Sequence, residues 1–152
     1  MNKSIWCLLL IILLPFGCNN TTEEVDDAQT KVDIFLLDMN PILYQTMLEI
    51  KAEIVLADKK IHQLYELKSM FPSQRDMVDK SLKQWQNLRK NLNSTSTNIS
   101  NKVEGAYVAY KIDEIQGQKK FSMIAESLLK EANMVLNNAE TTKSLIEEEL
   151  YE

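Results

Sequence analysis

The side chains that could do chemistry in this sequence are few and poorly grouped. His62 is the only histidine, and the residue three before it is Lys59. The Glu-x-x-His spacing that turns a carboxylate and an imidazole toward a metal pair is therefore absent. A zinc site of the usual nitrogen and sulfur donors cannot be assembled around one imidazole. Gly105 and Gly117 are too few and too far apart to form a phosphate-cradling loop. A Ser-His-Asp grouping can be drawn on paper in almost any protein, so it carries no weight. Asp26/Asp27 and Asp113/Glu114 read as solvated helix faces rather than acid/base pairs or calcium ligands. Trp85, Tyr107 and Tyr110 read as core and helix-boundary packing rather than a ligand cage. No catalytic residue, metal or cofactor is expected, and the chain is not read as an enzyme.

The remaining reactive group is the thiol of Cys18, and its neighbours give it a context. Lys3 supplies a positive start, Ile5–Phe16 a continuous apolar run, and Gly17-Cys18 a small residue followed by cysteine. Basic, then apolar, then small is the order of an export signal. The run is well short of the ~20 residues that a membrane-spanning helix needs. Ending it on Gly-Cys resembles the lipobox of bacterial lipoproteins, a resemblance confined to residues 1–18. It implies that residues 1–17 are a signal peptide, removed in the mature protein. It also implies that Cys18 becomes the first residue, with diacylglycerol on its thiol and fatty acid such as palmitate. The competing reading is ordinary secretion with an incidental cysteine, but Pro15-Phe16-Gly17 lacks the A-x-A pattern of a soluble export signal. Asn19, rather than Asp, follows the cysteine; by analogy with enterobacterial sorting this favours the outer membrane in a Gram-negative organism.

Without residues 1–17 the chain of 152 keeps 135 residues, enough for one domain with a modest core. Gly105, Gly117, Pro41 and Pro72 are the only glycines and prolines left. Such scarcity of turn residues argues against many strands and for a few long helices. Sixteen basic residues then face twenty-two acidic ones, a balance of −6. A surface of that sign is a poor nucleic-acid partner, because phosphate neutralisation needs clustered Lys and Arg. Cys7 lies within the signal, so Cys18 has no internal disulfide partner and packing must supply stability.

Residues 18–28 read as the lipidated cysteine and a short tether, in which Thr21 and Glu24 form a capping-box pattern. Residues 29–152 read as the helical domain. Val32, Leu36, Met39, Leu43, Ile50, Ile54, Ala57, Ile61 and Leu64 recur at helical spacing, with Tyr44, Met47 and Leu48 widening the face. Asn40-Pro41 interrupts them as either a fresh N-cap or a kink, and the preserved spacing favours a kink. Met70-Phe71-Pro72-Ser73 is the clearest turn, with Ser73 placed to cap the next helix. Val78, Leu82, Trp85 and Leu92 continue the pattern, with Arg89 the charged residue at its spacing. The run from Asn91 to Asn101 has the composition of a loop but keeps the spacing through Leu92, Ser96, Ile99, Val103, Ala106 and Tyr110. Past a break expected at Gly117, Phe121, Ala125, Leu128, Ala132, Val135, Ala139, Thr142 and Ile146 repeat in heptads.

These breaks predict an all-α, up-down-up antiparallel three-helix bundle of coiled-coil character, with helices near 29–70, 73–114 and 118–148. Reflection through the two turns also predicts a polar layer of Thr46, Ser96 and Asn137 or Asn138. The function expected is a membrane-tethered lipoprotein of the cell envelope, acting as an interaction or structural module toward an unidentified envelope protein. The alternative is a sensory bundle that binds a small ligand between its helices. Met70, Phe71 and Tyr151, at the end of the bundle remote from the lipid, are the expected partner contacts. Phe71 could instead fold back on Leu150 as a plug.

Overall fold

The computed structural model describes residues 21–151, and side chains over 27–148. Described residues form an all-α bundle of α1 (Thr21–Met39), α2 (Pro41–Met70), α3 (Arg75–Ile112) and α4 (Glu114–Tyr151), with a 3-10 turn at Pro72–Gln74. The chain divides between Lys31 and Val32 into two units. The first contains the start of α1, where Asp27 and Lys31 pair one turn apart. The second, from Val32 onward, holds the packed helices and the core.

Helices α2, α3 and α4 run up, down and up. Across α2 and α3, Lys68 meets Asp79 and Arg89 Nη1 lies 3.0 Å from Asp58. Across α3 and α4, Lys120 Nζ donates to the Gly105 carbonyl at 2.9 Å, and Asn98 bonds Glu131. Parallel α2 and α4 are joined by Lys143 Nζ and Glu53 Oε1 at 2.7 Å, with both side chains about three-quarters shielded from water.

The core follows the apolar spacing closely. Leu43, Ile50, Ala57, Leu92, Ile99, Ala106 and Ala132 are inaccessible to water, and Phe121, Leu128, Ala139 and Ile146 nearly so. Ala132 and Ala139 sit at heptad positions where the missing side-chain bulk lets a neighbour approach. The Asn91–Asn101 run lies wholly inside α3. Its Asn, Ser and Thr residues are poor helix formers, but burying Leu92, Ile99 and Val103 outweighs a propensity loss of a few tenths of a kcal/mol each. Arg89 is exposed, and Leu88 beside it takes the core position.

Two of the helix boundaries differ from the spacing-based reading. Asn40 is a fresh N-cap rather than a kink: its φ of −156° and ψ of 85° are not helical, and its Oδ1 accepts from the Leu43 N–H at 2.9 Å. Pro41 then occupies the first turn, where a missing N–H costs nothing. The stripe keeps its spacing because Asn40 still donates to Leu36 O and accepts from Tyr44 N. Asn40→Ala should cost about 1 kcal/mol, the usual loss of a side-chain cap, read from a urea midpoint. The last turn falls at Asp113, not Gly117. Asp113 is extended (φ −147°, ψ 109°), and its Oδ1 accepts from Gln116 N at 3.1 Å. Gly117 is already helical. Ser73, expected as a cap, lies within the 3-10 turn that Pro72 opens, and Gln74 precedes α3 without a side-chain cap.

The polar layer does not assemble as a buried unit. Thr46 is buried, but its hydroxyl donates to Ile42 O at 2.9 Å on its own helix. Ser96 is half-buried, whereas Asn137 and Asn138 are exposed. Heptad geometry explains this: Val135 and Ala139 take the inward positions on either side of the two asparagines.

Candidate functional site

The apolar apex at the α2–α3 turn is the best-defined candidate surface. Helix α2 stops because Pro72 disfavours helical geometry in the residue before it. Phe71 adopts φ −125°, ψ 75°, and its N–H reaches back to Leu67 O at 2.9 Å. The Phe71 carbonyl accepts from Gln74 N at 3.1 Å, closing the 3-10 turn. The reversal is therefore short, and its backbone groups are satisfied locally.

Its side chains are not turned inward. Phe71 keeps 48% and Met70 62% of its surface exposed, and Leu67 and Met77 on the flanking turns are exposed too. Leu64, Val78 and Ile146 already fill the core below them. A charged cluster borders the patch, in which Asp79 pairs with Lys68 and lies 4.0 Å from Arg75 Nε. An apolar centre within a polar rim is the composition of a protein-binding surface, in which aromatic and methionine side chains are enriched. Spacing along one helix sets Asp79 next to Lys83; the pairing across helices to Lys68 cannot be read from one helix.

The structure brings Met70 and Phe71 together at this apex. Tyr151 is the last residue of α4, which runs parallel to α2 and so ends at the apex, but its side chain lies outside the described residues. Leu150, the expected plug partner, has an undescribed side chain as well. Cys18 and residues 1–17 lie outside the described residues altogether. Leu67 and Met77 join the patch without a signal in the apolar spacing. Met77 lies beside Val78, whose place on the core stripe and burial leave Met77 facing out.

Other polar and aromatic side chains lie outside this patch. His62 is exposed, with Nε2 3.4 Å from Glu66 Oε1 one turn on. Tyr107 and Tyr110 pack against Phe35, whose ring centre is 5.6 Å from Tyr107, 5.2 Å from Tyr110 and 5.5 Å from Phe121. A groove of about 240 Å³ between α3 and α4 is lined by residues that include Asn91, Thr95, Met134 and Asn138. Among the described residues no group of acidic, His or Cys side chains is arranged to hold a metal. Nor is any described helix long and apolar enough to cross a membrane. Compared with protein-family models, curated proteins and solved structures, the chain matches none of them.

Proposed function

We propose that this chain is a membrane-tethered lipoprotein of the cell envelope whose helical bundle presents its apex to a protein partner. Cys18, carrying diacylglycerol on its thiol, holds the protein at the membrane, the outer one in a Gram-negative cell. The observation that carries the reading is the exposure of Met70 and Phe71 at the end opposite to where the chain enters the bundle. Phe35, near the point of entry, touches the helices beside the α3–α4 turn. From there the thirty residues of α2 lead to the apex, a rise of ~45 Å. A large aromatic left in water at such a tip is explained by a surface that covers it.

The test replaces Phe71 with serine in the lipidated protein and crosslinks envelope fractions. Phe71→Ser should abolish capture of the partner while the thermal midpoint stays within ~2 °C, since a half-exposed side chain contributes little to the core. Retained capture would show that the partner binds elsewhere, and a large loss of stability would place Phe71 in the fold rather than at the interface.

A further inference from the structure

The end of the bundle opposite the apex carries a second apolar projection. Asp113 alone separates α3 from α4, and an isoleucine stands close on each side of it. Ile112 keeps 85% and Ile115 76% of its surface exposed, and Val108 one turn earlier is exposed as well. We infer that this isoleucine turn is a second membrane contact, seating Ile112 and Ile115 in the interfacial layer of the bilayer that holds the Cys18 lipid. The inference rests on the proposed anchor and goes beyond it.

Three features of the turn suit a lipid surface. Part of its backbone is satisfied from within: Asp113 N donates to Ala109 O at 2.9 Å, Gly117 N to Asp113 O at 2.9 Å, and Gln116 N to the Asp113 carboxylate at 3.1 Å. Those N–H groups need not be stripped of water when the isoleucines enter the interfacial layer, while the exposed Asp113 and Glu114 carboxylates keep the turn at that layer rather than deeper. The turn is also held firmly, because Gly117 lies directly on the Tyr110 backbone and the Phe35 and Phe121 rings stand behind it. Finally, its charges nearly cancel. Residues 111–120 carry Lys111, Lys119 and Lys120 against Asp113 and Glu114, a formal balance of +1; Lys120 donates to Gly105 O, and Glu114 accepts from Gln118 Nε2 at 3.3 Å. Contact is therefore driven by apolar burial and does not require anionic lipid.

The length of chain between the anchor and the bundle favours a bilayer over another occupant. The chain enters the bundle at this end, where Phe35 meets Tyr107, Tyr110 and Phe121. Cys18 precedes Val32 by fourteen residues, a span of at most ~50 Å even when fully extended. Two isoleucines alone would bind a membrane weakly. A lipid tether of that length makes the contact intramolecular, so that a weak second contact is populated.

The test places a polarity-sensitive dye on Ile112→Cys and, separately, on Met70→Cys in the lipidated protein, with vesicles of phosphatidylcholine containing spin-labelled lipid. Lipidation blocks the Cys18 thiol, so the natural protein should float with the vesicles and take up no dye. The dye at position 112 should shift to the blue and lose intensity to the spin label, while the dye at position 70 should do neither. The isoleucine contact is overturned if the protein floats but the dye at 112 stays as wet and unquenched as that at 70. It is overturned equally if the dye at 112 is shielded without vesicles as protein concentration rises, since a second copy would then cover the turn. Failure of the natural protein to float, with dye uptake at Cys18, overturns the anchor separately; an unquenched dye at 112 then removes the second contact with it.

Discussion

Gly117→Ala should destabilise the bundle by about 3 kcal/mol or more, while Gly105→Ala should stabilise it by about 0.5–1 kcal/mol. Both glycines are helical, and no described residue has a positive φ, so conformational freedom is not what either supplies. The difference is space. A Cβ on Gly117 would fall 2.2 Å from Tyr110 Cα and 2.3 Å from its N, deep inside contact distance with backbone that cannot rotate away. One on Gly105 would meet only Lys120 Nζ at 3.9 Å, an ordinary contact with the far end of a flexible side chain. Alanine brings the same gain in helix propensity at both sites, near ~1 kcal/mol. At Gly117 the collision outweighs it, because relief requires parting α3 from α4 where the Asp113 turn joins them most tightly. Thermal unfolding by circular dichroism should show midpoints moving in opposite directions, down by ~10 °C for Gly117→Ala and up by a few degrees for Gly105→Ala.

Phe121→Ala should cost about 3–5 kcal/mol, the range for deleting a fully buried aromatic ring. Phe121 is 1% exposed and meets the Phe35 ring edge-on, the two planes inclined at 77°. Removing it leaves a void below Phe35, whose other supports are the half-buried rings of Tyr107 and Tyr110. Residues Val32–Met39 meet the bundle through Phe35 in this cluster, beside the equally buried Leu36. Hydrogen exchange should therefore accelerate at the amides of residues 35–39 more than at those around Leu64 and Val78 near the apex. Uniform acceleration along the bundle would show that the cluster does not hold α1 locally.

Much of this architecture is legible in the sequence, because a helix core needs only a spacing. The heptads from Phe121 to Ile146 and the stripe through α3 are such spacings, and most of both faces is buried, with Ala125, Thr142, Ser96 and Tyr110 half-buried and Arg89 exposed. Ser and Thr residues at Thr95–Thr97 do not open a loop because the apolar positions on either side stay in phase. The turns are harder. Asp113 is one residue whose cap bond to Gln116 competes, in sequence, with a nearby glycine that looks like the better breaker. Gly117 instead answers to Tyr110, seven residues earlier, a requirement that exists only once two helices are folded together. Phe35 escapes a reading by spacing for a similar reason: its three aromatic partners lie on α3 and α4. The apex is half legible. A proline after Met-Phe marks the turn, but whether Phe71 faces water depends on Leu64, Val78 and Ile146 having filled the core beneath it.

The central claim, that a lipid on Cys18 makes this bundle a membrane-tethered module, is tested most directly by mass spectrometry of the mature protein's N-terminal peptide. The mature chain should begin at Cys18 and carry the added mass of diacylglycerol on that residue, with the lipid and the cleavage both lost in Cys18→Ser. A mature chain that begins elsewhere, or that begins at Cys18 with an unmodified thiol, would contradict it.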